Sequence, residues 1–157
     1  MSTPGEAVPP AGAAPLLVHV VHSFEMGGLQ NGLLNLLDGL PAQRYRHAVV
    51  SLTGLSGFER RLRRGDVPFF ALDQAPGLGL ATHRALWRLL RRLRPALVHT
   101  RNIAALEMQA VALAAGVPAR VHGEHGWDVH DPSGQSARYR RWRRLMRPFV
   151  QQYVALS

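Results

Sequence analysis

The sequence predicts an α/β fold, a parallel sheet with helices on both faces. Three observations predict it. Short apolar runs rich in valine recur along the chain, segments with helical spacing separate them, and Gly and Pro mark the joins. The 157 residues suffice for one domain with a real core.

"LLVHVVH" (16–22) reads as a strand buried on both faces. The loop "SFEMGG" leads to a helix over 29–40, with leucines at 29, 33, 36, 37 and 40 and Pro41 beyond. "RHAVVSL" (46–52) is a second strand. "FERRLRR" (58–64) is a short basic helix that Gly65 stops. "VPFFAL" (67–72) is a third strand. Residues 82–94 form an amphipathic helix whose stripe is Ala85, Leu86, Leu89, Leu90 and Leu93, ended by Pro95. "ALVHT" (96–100) is a fourth strand, and an alanine-rich helix over 103–116 closes at Gly116. "ARVHGEH" (119–125) is a fifth strand. A basic helix over 136–147 follows, with Trp142, Leu145 and Met146 expected in the core, and "QYVALS" (152–157) is a sixth strand. In such sheets ligands bind at the carboxyl ends of the strands. That directs attention to the loops at 23–28, 73–80, 100–102 and 123–135.

Composition narrows the function. The chain has no cysteine, which excludes disulfides, Cys-based zinc sites and thiol nucleophiles and fits a cytoplasmic protein. No run approaches 18 apolar residues, so no transmembrane helix is expected. Residues 1–15 lack a signal-peptide pattern and read as a disordered leader. Net charge is +9, and all 19 basic residues are arginine. The surplus favours anionic partners, including a peripheral contact with the inner face of an anionic membrane. A single arginine-rich helix is more often a solvated face, and nucleic acid is not expected as a partner.

Three motifs carry candidate chemistry. The loop after the first strand is neither GxGxxG nor a P-loop, but Gly27 and Gly28 allow close backbone approach before a helix N-terminus. A plain tight turn explains them equally well. In "VHTRN", Asn102 is an N-cap or part of a polar rim for a hydroxylated ligand. "VHGEHGWDVHD" (121–131) holds His122, His125 and His130 among Glu124, Asp128 and Asp131. Its spacing is not HExxH, and one loop does not by itself fix three metal ligands, so no metal site is expected. His122 and His125 lie three apart and so do not share a strand face. His125, at the carboxyl end of the strand, is the candidate for substrate contact.

At these residues the sequence resembles a known family. "LLVHVVHSFEMGGLQNGLLNLL", "RLLRRLRPALVHTRN" and "GVPARVHGEHGWD", in that order, are similar to segments of family 4 glycosyltransferases. The nearest likeness is to sugar transferases of exosortase and exopolysaccharide systems. The resemblance implies a Rossmann-like lobe, the N-terminal half of a GT-B fold, over residues 16–157. It implies a retaining transfer from a nucleotide-sugar donor to a glycan or lipid-linked acceptor, without a catalytic metal or other cofactor. By the same resemblance His125 is the catalytic histidine. Gly27, Gly28, Asn102 and Asp128 line the cleft. The family often has an acidic residue where Gln30 stands here. The C-terminal donor-binding lobe is expected to be absent from these 157 residues, leaving the chain incomplete as an enzyme. The rival reading is a non-catalytic Rossmann-like module that binds an anionic partner through its arginine-rich helices. A metal-dependent hydrolase is a more distant alternative.

Overall fold

The structure is a computed structural model that describes residues 14–75, 79–125 and 135–155. Six parallel strands form one sheet: β1 (Leu16–Val21), β2 (Arg46–Ser51), β3 (Phe69–Ala71), β4 (Leu97–Arg101), β5 (Ala119–Glu124) and β6 (Gln152–Ala155). Their order is β3-β2-β1-β4-β5-β6, and every pairing is parallel. The chain first runs outward from β1 to β3, then returns to lay β4 on the other side of β1. In open parallel sheets such a reversal is where ligands ordinarily bind, at the carboxyl ends of the strands. The expected Rossmann-like α/β fold is the fold observed.

Alternation along the strands divides the core into two layers. Leu16, Val18, Val20, Ala48, Val50 and Val98 face helix α2 (Leu80–Leu93) and helix α3 (Met108–Ala114). Val21 and Val49 face the opposite way, against Leu33, Leu34 and Leu37 of helix α1 (Gly28–Gly39). Full burial of each such side chain contributes roughly 1.5–3 kcal/mol. Helix α4 (Ala137–Met146) joins a smaller cluster, where Met146 packs with Ile103, Leu106 and Val150.

Several local expectations need correction. The basic segment after β2 is only a 3-10 turn, Phe58–Arg61, and Gly65 does not stop it. Arg64 is drawn out of any helix because its guanidinium donates to the carbonyls of Leu37 (2.9 Å) and Leu40 (2.8 Å) at the end of α1. Its other nitrogens pair with Asp66. The fourth helix region enters through a 3-10 turn, Ile103–Ala105, before α3 begins. Gly116, at φ 80, is the left-handed stop the sequence indicates. Leu145 is not core: it is 62% exposed, while Met146 is buried and Trp142 only partly so. The candidate Asp128, together with His130, Asp131 and residues 1–13, lies outside the described residues.

Gln109 of α3 ties β4 to β5. It is fully buried, and its Nε2 donates to Thr100 Oγ1 and to the Val121 carbonyl, both at 2.7 Å. Replacing it with leucine removes both bonds and leaves the Val121 carbonyl and the buried Thr100 hydroxyl each short of a donor. The expected cost is about 2–4 kcal/mol, read from urea denaturation. A loss below the error of that measurement contradicts the role.

Candidate functional site

The carboxyl ends of β4 and β5 are fastened to each other by one residue. The Asn102 N–H donates to the Gly123 carbonyl, and its Oδ1 accepts from the His125 N–H, both at 2.8 Å. Asn102 holds φ 59 and ψ 162 to do this. That region is almost exclusive to glycine and costs about 1–3 kcal/mol for another residue. Its side chain caps nothing, so the N-cap expected from the sequence is replaced by a bridge to β5.

The α1 face of the sheet carries a row of polar rings. His19 Nε2 meets His47 Nδ1 at 3.2 Å. The His99 ring lies 5.8 Å from that of His19 and 6.5 Å from that of His125. Arg101 enters the row from β4, and its guanidinium donates to His125 Nε2 at 3.0 Å. Arg101 is 5% exposed and meets no carboxylate among the described residues. Burial lowers its pKa to about 10, so it remains a cation at neutral pH. Burial, then the Arg101 charge, lowers His99 to about 3. The same two causes, in the same order, lower His19 and His125. The histidines are therefore held in their neutral form beside a charged Arg101.

Gly123 makes room for this arrangement. A Cβ there would stand 2.8 Å from His99 Nε2 and 2.9 Å from His125 Nε2. On the opposite face His122 is sealed at 0% exposure, its Nδ1 2.8 Å from Thr100 Oγ1. Its Nε2 approaches Glu124 Oε1 at 3.4 Å, and Glu124 also accepts from Arg143 Nε at 2.8 Å. Burial alone would raise Glu124. The hydrogen bonds from His122 and Arg143 and the Arg143 charge outweigh it and bring Glu124 to about 2. His122 and Glu124 thus hold α4 to the sheet, while His125 turns to the other side.

Gly27 and Gly28 stand at the carboxyl end of β1, where α1 begins. The first turn of α1 has no side-chain cap and no acidic residue. A Cβ on Gly27 would meet Gln30 Oε1 at 2.7 Å, whereas one on Gly28 would meet nothing within 4 Å. Gln30 folds back, its Nε2 donating to the Ser23 carbonyl at 2.9 Å, so it braces the loop. Asn102 and His125 are in direct contact. The glycines share their edge of the sheet but touch neither. Among the described residues no three His, Asp or Glu side chains are grouped to hold a metal ion. A cavity of about 1170 Å³ opens beside Ile103, and His125 is not among the residues that line it. Ile103, Ala104 and Glu107 form one wall, and Arg138, Trp142 and Leu145 are among the α4 residues of the other.

Arg101 and Gly123 were not singled out from the sequence. The signal for Arg101 was there: a charge two residues after His99 in a strand must share the histidine's face. The signal for Gly123 was its place between two histidines, although sequence alone does not show both rings folding over it.

Two outcomes follow. Asn102→Ala keeps the strained backbone and loses the anchor of His125, costing about 2 kcal/mol, while Asn102→Gly also loses the anchor but relieves the strain and costs less. Thermal melts of both variants check this, and a glycine variant less stable than the alanine variant contradicts it. His99 binds a proton near 6.5 when unfolded but only near about 3 when folded. The unfolded chain then holds more protons across that window, so stability falls as pH drops from about 6.5 to about 3. Glu124 acts in the same sense between 4.5 and about 2. In urea denaturation across pH, His99→Phe should flatten the upper part of this slope, and an unchanged slope overturns the assignment.

Comparison with known proteins bears on this geometry. The search of curated proteins found no match. Residues 26–157, most of the chain, match the family described as Glycosyltransferase Family 4. The match takes in the Gly-Gly turn, Asn102 and His125 and omits β1. With a sheet of this order and this family match, the chain belongs to glycosyltransferase family 4.

Proposed function

We propose that the chain forms the acceptor-side lobe of a retaining hexosyltransferase, moving a sugar from a nucleotide-sugar donor to a glycan or lipid-linked acceptor. The single observation that carries this reading is His125, held at the carboxyl end of β5 by Asn102 and Arg101. Sugar transfer develops positive charge at the sugar and negative charge on the departing diphosphate. The uncapped N-terminus of α1 offers N–H groups to that diphosphate. Gly28 leaves the approach open. A neutral imidazole at 125 donates a hydrogen bond to the sugar as it reacts. On this reading a second Rossmann-like lobe holds the nucleotide, and residues 16–157 alone do not turn over. The resemblance to exosortase and exopolysaccharide enzymes favours a surface-polysaccharide acceptor and a cytoplasmic site of action. Asp128 remains a proposed cleft residue.

The cavity between Ala104 and α4 suits the acceptor. Its walls bring apolar surface from Trp142 and Leu145 next to the guanidinium groups of Arg138, Arg141 and Arg144. A lipid-linked phosphate has both characters.

A second reading rests on the exposed arginines of α4. Arg138, Arg140, Arg141 and Arg144 are exposed there beside Leu145. That combination also fits a module that binds an anionic surface without catalysis. No helix among the described residues is long and apolar enough to cross a membrane.

The test joins this lobe to a donor lobe and measures transfer. His125→Ala should lower kcat about 100-fold or more. Gly28→Ala should leave stability unchanged or slightly raised and still reduce transfer. Full turnover by the His125 variant removes the catalytic reading. Salt-sensitive binding to phosphatidylglycerol vesicles, with no transfer by the joined enzyme, selects the binding module instead.

A further inference from the structure

We infer that Arg101 is a positioning residue that fixes His125 as the neutral Nδ1–H tautomer, so that this imidazole only donates to its ligand. The ligand role rests on the transfer reading above. The tautomer itself does not.

A guanidinium has donors and no acceptor, and it stays protonated in proteins. Its contact with His125 Nε2 at 3.0 Å is therefore a hydrogen bond only if Nε2 offers a lone pair. A neutral imidazole with a lone pair on Nε2 carries its proton on Nδ1. An imidazolium has protons on both nitrogens and would oppose Arg101 with like charge and donor against donor.

The surroundings leave the pair no easy alternative. Arg101 has no carboxylate to neutralise it among the described residues, and its Nε is buried without a partner. The nearby acid, Glu124, is engaged by Arg143 and His122. The His125 backbone N–H is held by Asn102 Oδ1, which sets where the ring begins. Gly123 lets the Nε2 edge turn inward, since a Cβ there would lie 2.9 Å from it. The charged and titratable groups acting on His125 are Arg101, His122 and Glu124, with the His99 ring beside it. Of these only Glu124 favours a proton.

The chemical consequence is specific. With Nε2 occupied, His125 has no lone pair for a substrate and so acts neither as general base nor as nucleophile. Its Nδ1, which has no partner among the described residues, is the free donor. It matches an oxygen acceptor such as a sugar hydroxyl. The reaction should then show no ascending limb from His125 deprotonation between about pH 6 and 8.

The experiment uses the full chain labelled with ¹⁵N-histidine and long-range ¹⁵N–¹H correlation spectra, with His125 assigned from the His125→Gln variant. The wild-type spectrum should show a lone-pair nitrogen at Nε2 and a protonated Nδ1. Arg101→Leu should move His125 to the Nε2–H form common in solution and raise its titration midpoint by about 1 pH unit or more. Arg101→Lys should restore the wild-type tautomer. An Nε2–H signal in the wild type overturns the inference, and so does an Arg101→Leu spectrum with tautomer and midpoint unchanged. If Arg101→Leu fails to fold, the wild-type spectrum decides alone. An Nδ1–H spectrum together with full transfer by the His125→Ala enzyme would confirm the tautomer and reject the transfer role.

Discussion

Arg101 carries its charge on the inner side of the sheet, where no described carboxylate meets it. An isolated buried cation is expensive, and proteins ordinarily pair it. Here the surroundings adapt instead. His19, His99 and His125 give up their protons to burial and to this guanidinium, and His125 turns its lone pair toward it. The strain at Asn102 belongs to the same arrangement, because it brings the Asn102 side chain to the His125 backbone. These local costs are concentrated at one end of the sheet, and such strain clusters at active sites and ligand clamps in proteins generally.

The remainder of the fold makes that end rigid. β1 and β4 pair side by side where the chain reverses, and β5 lies next to β4 in register from Leu97 to Arg101. Gln109 and Thr100 fix β4 against β5 from the α3 side, and Glu124 with Arg143 fixes α4. His122 and His125, three residues apart, therefore do different work. One is sealed against Thr100, and the other turns to the α1 face of the sheet beside Arg101.

Much of the fold was legible in the sequence because its signals are local. Valine-rich runs marked β1, β2 and β4, helical leucine spacing marked α1 and α2, and Gly116 marked the end of α3. The misreadings came from tertiary contacts. Arg64 leaves its expected helix to hold carbonyls of α1 some 25 residues away. Leu145 follows a helical stripe that the sheet does not reach. The candidate site was half legible. His125, Asn102 and the glycines stand at strand ends, which sequence order predicts. Arg101 becomes visible only when two adjacent strands place it and the histidines on one face. The length and charge of α4 were readable, whereas the cavity beside it depends on how α4 packs against Ala104 and Glu107.

A structure of the two-lobed enzyme with a nucleotide sugar bound tests the central claim most directly. The account predicts a sugar oxygen within hydrogen-bond distance of His125 Nδ1, the diphosphate against the N-terminus of α1, and Arg101 still bonded to His125 Nε2. A donor sugar bound away from the ends of β4 and β5, or Arg101 turned from His125 to grip the ligand, would contradict it.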